Sequence, residues 1–163
     1  MHDSITLRSA RMCDVAAIEE LINGYAAERL MLPRTAESIE LSLDDFVVAT
    51  DAHGHLLACG ALKMYSPSLA EVASVAVARD MHGRGIGSMV VTGVEQLAHS
   101  RGVAELFAIT LTPQFFESLG YERSDRSLYP EKLRRDCATC PRKFGCPEAC
   151  MRRAMGAGLL AAA

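Results

Sequence analysis

Residues 71–88 read Glu-Val-Ala-Ser-Val-Ala-Val-Ala-Arg-Asp-Met-His-Gly-Arg-Gly-Ile-Gly-Ser, and this stretch decides the fold. Val75, Ala76 and Val77 form an apolar run that reads as a buried strand. Gly83, Gly85 and Gly87 follow at alternate positions, so the backbone there can turn tightly and expose several N–H groups. Ser88 to Gln96 then continues at helical period. A helix N-terminus carries unpaired N–H donors and partial positive charge, so a strand, a glycine loop and a helix start in this order form an anion cradle. The ligand that suits it is a phosphate or pyrophosphate.

Two familiar phosphate loops are excluded. G-x-x-x-x-G-K-[ST] is absent, and the alternate glycines do not match the G-x-G-x-x-G of dinucleotide folds. Outward from the loop, Ile5–Arg8 is a short strand, and Asp14 is placed to cap a helix striped by Val15, Ile18, Leu21, Ile22 and Tyr25. Thr35 is placed to cap a second helix running to about Leu43. Phe46–Thr50 and Leu56–Tyr65 are strands joined by a turn at Gly54, and Ala70–Ala78 is the next strand. The helix after the glycine loop ends at Gly102, Ala104–Thr110 is a strand, and Pro113 opens a short helix to Leu119.

His82-Gly-Arg-Gly85-Ile-Gly87, after Val-Ala-Val, resembles the acetyl-coenzyme A loop of the GNAT superfamily of N-acetyltransferases, [QR]-x-x-G-x-[GA], with His82 in place of Gln or Arg. Pro113-Gln-Phe-Phe-Glu-Ser-Leu-Gly-Tyr121 resembles the family's second landmark. The resemblance implies an α/β mixed sheet, the GNAT acyl-CoA N-acyltransferase fold, with splayed central strands and acetyl-CoA as co-substrate. His82, Gly83, Arg84, Gly85, Ile86, Gly87 and Ser88 would hold the pyrophosphate, and backbone groups of Val75 and Val77 the pantetheine arm. Glu71 matches the family's general base. Phe116 occupies the slot where many members carry a proton-donating Tyr. The acid is therefore left open between water, Tyr65, Tyr121, Tyr129 and release of a thiolate.

Leu30-Met-Leu-Pro-Arg34, Cys59-Gly-Ala-Leu-Lys63, Ala70-Glu-Val-Ala-Ser-Val-Ala-Val77 and Leu128-Tyr-Pro-Glu-Lys132-Leu-Arg-Arg-Asp136-Cys137 narrow the resemblance to short bacterial amino-acid N-acetyltransferases of the N-acetylglutamate synthase type. Ala73 departs from that group, many of whose members carry Arg there. The implied acceptor is L-glutamate, acetylated on its α-amine at the first step of arginine biosynthesis. Arg34, Lys63 and Arg142 would meet its carboxylates, because a dicarboxylate calls for fixed cations. Another amino acid, a small amine or a protein N-terminus is the alternative acceptor. A thiol or metal sensor that binds acetyl-CoA is the alternative of another class.

The chain has 163 residues, half of them hydrophobic, and a net charge of −3. The charge gives no general attraction for nucleic acid, and no apolar run reaches the length of a membrane span. The first residues carry no secretory pattern, so a cytoplasmic location is expected. The expected partner is a small acidic amino acid, with a homodimer left open. Expected domains are 1–130 for the acetyltransferase, 131–155 for a Cys-rich extension packed on it, and 156–163 for a frayed tail. Cys137, Cys140, Cys146 and Cys150 follow C-x2-C-x5-C-x3-C. Four clustered thiols are compatible with structural Zn or an Fe–S cluster, with reduced thiols, or with a facultative disulfide. Cys13 and Cys59 read as small buried hydrophobes.

Overall fold

The computed structural model describes residues 4–140 and 145–156. They form two compact units: the chain up to Lys63 together with Val72–Ala98, and Met64–Glu71 together with the chain from His99 onward.

In the first unit β1 (Thr6–Ser9) pairs antiparallel with β2 (Phe46–Thr50), and β2 with β3 (Leu56–Met64), Val48 lying opposite Cys59. β4 (Leu69–Val77) is the next strand in the order, and its residues from Val72 belong to this unit. Helix α1 (Val15–Ala27) buries Val15, Ile18 and Ile22, which share one face because they recur every three or four residues. They pack with Ile39 of α2 (Ala36–Leu41), Phe46, Val48, Cys59 and Ala76.

Thr35 caps α2 as its sequence suggests, its Oγ1 accepting the Ser38 N–H at 3.1 Å. Asp14 does not cap α1. Its carboxylate instead takes the Arg11 N–H at 2.7 Å and a two-pronged Arg8 guanidinium at 2.7 and 3.0 Å, a stronger set of charge-assisted bonds. Cys13, expected inside, is exposed in the 3₁₀ turn Met12–Asp14.

Helix α3 (Ile86–Ser100) lies very close to the strands. A Cβ on Gly60 of β3 would stand 2.6 Å from Val90 Cγ1, and one on Gly93 of α3 would stand 2.8 Å from Val47 Cγ1. The two glycines therefore set the distance at which α3 docks, and with it the position of its first turn.

In the second unit the first residues of β4 pair in parallel with β5 (Glu105–Thr110), Glu71 lying opposite Phe107. β7 (Ala149–Ala154) lies between β5 and β6 (Glu122–Ser124), antiparallel to both. Neither β6 nor β7 is evident in the sequence. Helix α4 (Pro113–Ser118) starts at a proline as expected, and α5 (Pro130–Lys132) runs into a π-helical turn at Leu133–Cys137. Phe107 stacks on Tyr129 with centroids 4.1 Å apart, and Cys150, Tyr65, Leu69 and Ile109 complete this core. Among the described residues no helix is long and apolar enough to cross a membrane.

Candidate active site

The glycine loop is shaped by its backbone. Gly83 and Gly85 have φ of 77° and 76°, in the left-handed region, and a Cβ on either would meet open space. The Met89 N–H closes the first turn of α3 on the Gly85 carbonyl at 3.1 Å. That first turn contains no acidic side chain, so nothing within it offsets the positive end of the helix. His82, Gly83, Arg84 and Gly85 are exposed, whereas Ile86 is fully buried and anchors the helix start.

Just upstream, Ser74 has φ 53°, an uncommon conformation for a residue with a side chain. It lies immediately before Val75, and its carbonyl accepts the Cys59 thiol at 3.4 Å. Burial pushes that thiol up to about 12, so it remains a neutral donor. Val75 and Val77 are half-buried in β4.

Tyr25 is a residue that sequence reasoning missed at this site, having placed it only in the apolar stripe of α1. Its hydroxyl donates to the Val77 carbonyl at 2.5 Å and lies 2.8 Å from His82 Nε2. The Tyr25 and His82 rings stack nearly parallel, 4° apart in plane. His82 Nε2 is also 3.1 Å from the Val77 carbonyl, so this pattern assigns its proton to Nε2. Arg79 covers the Tyr25 ring at 4.7 Å and is ion-paired with Glu28. Burial raises the Tyr25 hydroxyl above its usual range, against the pull of Arg79, and keeps it a donor.

The cations that the sequence resemblance implies for an acceptor differ in setting. Arg34 precedes α2 and is tied to it by its side chain: its Nε donates to Ser38 Oγ at 3.1 Å, and its Nη2 to Ser42 Oγ at 2.9 Å and to the Ser38 carbonyl at 3.1 Å. Its guanidinium also lies over the Phe46 ring. The Asn23 amide fixes its backbone from both sides, at 2.7 and 3.0 Å. Lys63 is half-buried near the end of β3. Arg142 lies outside the described residues.

Glu71 is buried, with a side chain only 4% exposed, which rules out a solvated glutamate at a strand end. Lys132 Nζ stands 3.0 Å from each carboxylate oxygen of Glu71 and 2.8 Å from Asp136 Oδ2. The Tyr65 hydroxyl lies within donating distance of both acids, 3.1 Å from Glu71 Oε1 and 3.2 Å from Asp136 Oδ2. Burial opposes the Lys132 charge, but Glu71 and Asp136 outweigh it and hold the ammonium above its usual value.

Burial, reinforced by the two carboxylates, raises the Tyr65 hydroxyl strongly. Burial also raises Tyr129, which packs on Phe107. Neither phenol is therefore prepared to surrender a proton outright. Phe116 is buried, edge-on to Phe115 and Tyr121, as an ordinary core ring. The sequence did hold one signal for the cluster: Lys132 and Asp136 are four apart, the spacing of a helical ion pair.

The described part of the cysteine tail gives no support to the metal centre that its spacing allowed. Among the described residues no three His, Cys, Asp or Glu side chains gather as a metal ion would need. Cys150 lies in β7, opposite Ile109 on one side and Ser124 on the other, and is buried with Phe107 and Tyr129. Burial pushes its thiol up to about 11, away from the thiolate that a metal requires. The Cys146 thiol lies against Glu148, 3.7 Å from Oε2, and Cys137 sits in the π-helical turn beside Asp136, its thiol raised by burial. Zn or Fe–S coordination by Cys137, Cys140, Cys146 and Cys150 is thus unsupported, because strand pairing commits Cys150 to the core.

Residues 15–121 match the model of the acetyltransferase (GNAT) family. The chain is 38% identical to an uncharacterized N-acetyltransferase of Chlorobaculum tepidum, over 89% of this chain and 93% of that one. It is 32% identical to an amino-acid acetyltransferase of Mycobacterium tuberculosis, over 71% of this chain and 67% of that one. Among solved structures it is similar to a Mycobacterium tuberculosis protein in complex with CoA and NLQ, with a TM-score of 0.81 and 26% identity, covering 93% and 99% of the two chains.

Proposed function

The chain belongs to the acetyltransferase (GNAT) family as an acetyl-CoA-dependent N-acetyltransferase, and from that premise we propose that it transfers the acetyl group to the α-amine of L-glutamate. The observation that carries the donor half is the loop after Val77, where two left-handed glycines lead into the first turn of α3, which holds no acidic side chain. Open space at both glycines fits a pyrophosphate held by backbone N–H groups from Gly83 to Ser88, with His82 and Arg84 at its edge. Tyr25 and His82 engage the Val77 carbonyl and so hold this end of β4, where backbone groups of Val75 and Val77 would align the pantetheine arm and polarise the thioester carbonyl.

An amino acid's ammonium must lose a proton before it can attack. Glu71 is the general base in this reading, supported by its burial and by the fixed hydrogen bonds that orient it. Phe116 supplies no proton, and Tyr65 and Tyr129 hold theirs, which leaves Tyr121, water or departure of CoA as a thiolate; a thiol of pKa about 8.5 tolerates the last. Arg34 and Lys63 are the cations for the acceptor's carboxylates. The amino-acid acetyltransferase among the relatives supports an amino acid as acceptor. N-acetylglutamate as product would put the reaction at the entry to arginine biosynthesis, in the cytoplasm.

A panel of amino acids and small amines offered with acetyl-CoA, read by thiol release and product mass, tests this reading. L-glutamate is expected to give the highest kcat/KM. Turnover of another amine with none of glutamate would overturn the acceptor.

A further inference from the structure

While the product occupies the acceptor site, Glu71 has no direct route to water for its proton, because the rest of its side chain is nearly sealed. Asp136 is more open, its side chain 20% exposed against 4% for Glu71. The two carboxylates are bridged twice, by the Lys132 ammonium and by the Tyr65 hydroxyl. These bridges differ in kind. Lys132 has three N–H donors and can serve both acids at once, whereas Tyr65 has a single O–H that must choose between them.

We propose that Tyr65 and Asp136 form a proton exit for the base, with Lys132 as the positioning residue that holds both carboxylates in line. This inference rests on Glu71 acting as base. Two carboxylates share the single Lys132 ammonium, so one of them can take up a proton from the acceptor while the other keeps its ion pair. When the acceptor ammonium gives its proton to Glu71, the new Glu71 O–H donates to the Tyr65 oxygen. Tyr65 passes its own hydroxyl proton to Asp136 in the same movement, and Asp136 releases it to water. The O–H bond of Glu71 breaks as that of Tyr65 re-forms, so no tyrosinate accumulates and all charges return to their starting values.

The strong hold on the Tyr65 proton favours this concerted exchange over a stepwise one. Among the described residues, Arg135, whose guanidinium lies 5.0 Å over the Tyr65 ring, and the Cys137 and Cys150 thiols also face this cluster.

The test uses the full chain with Tyr65→Phe, Asp136→Asn and Glu71→Gln. Tyr65→Phe keeps the ring that packs 5.4 Å from Phe107, so it remains informative even if Asp136→Asn fails to fold. In Tyr65→Phe and Asp136→Asn, kcat is expected to fall about tenfold or more while KM for acetyl-CoA is unchanged. Small diffusible buffer bases such as imidazole should then restore turnover in a concentration-dependent way, with no such dependence in the wild type. A loss without buffer rescue means that Tyr65 only packs, and overturns the exit path; so does wild-type turnover in Tyr65→Phe. If Glu71→Gln retains wild-type kcat, the base reading itself fails. If Glu71→Gln is inactive while Tyr65→Phe is unaffected, only the exit path fails.

Discussion

Between Val77 and Ser88 one continuous segment shapes its site with backbone: two left-handed glycines, a helix end and a strand carbonyl. Around Glu71 the chain works with side chains, and they come from far apart. Lys132 is 61 residues from Glu71, and Asp136 is 71 residues from Tyr65. The first region presents partial positive charge to solvent; the second encloses full charges. A backbone site tolerates most side-chain changes but not a change of φ/ψ. A buried charge cluster fails when a single partner is lost, because the remaining charges are left uncompensated.

If this contrast is correct, Glu71→Gln should cause the largest loss. Its kcat should fall by roughly 10²–10⁴, the usual worth of a positioned general base. Steady-state rates at saturating acetyl-CoA measure it directly.

Asp14→Asn asks whether a buried carboxylate with no part in the chemistry behaves as the Glu71 cluster does in stability alone. Arg8 holds the Asp14 carboxyl below its usual range, against desolvation and with help from the Arg11 amide. Because the folded value is lowered, the stabilisation is complete above the unfolded carboxylate range near 4 and is lost as pH falls through the lower folded value. The variant should therefore be less stable by about 1–3 kcal/mol at pH 7, and the difference should shrink at strongly acidic pH, as denaturant titrations at several pH values would register.

In the backbone region, Gly85→Val should raise KM for acetyl-CoA with little change in kcat. Forcing a β-branched residue into the left-handed region costs at least about 1–2 kcal/mol, roughly five- to thirtyfold. Tyr25→Phe should give the smallest effect, a rise in the same KM of roughly two- to tenfold, the worth of one neutral hydrogen bond. An effect of Tyr25→Phe on kcat alone would break the division between the two regions.

The same contrast explains what could be read from the sequence. The glycine loop was legible because its glycine spacing and the flanking strand and helix patterns are local. The elements from β1 to α4 were legible for the same reason, since apolar periodicity marks each one. The order of the last two strands was not. β6 is only three residues, Glu122–Ser124, and β7 alternates poorly because Cys150 and Met151 are buried side by side while Arg152 and Arg153 follow. Missing β7 also left a metal centre open beside reduced thiols, because spacing along the chain does not reveal that Cys150 enters a sheet. Lys132 was visible as part of a family-like segment, yet its contact with Glu71 depends on tertiary packing that no local pattern encodes. Tyr25 fitted an apolar stripe, and only its hydroxyl, reaching Val77, revealed a second role.

The division of labour is tested most directly by titrating acetyl-CoA into Glu71→Gln and the wild type by calorimetry. The two dissociation constants should be equal within about twofold, alongside the large loss in kcat. A Glu71→Gln protein that binds acetyl-CoA far more weakly, with kcat at saturation intact, would contradict that division.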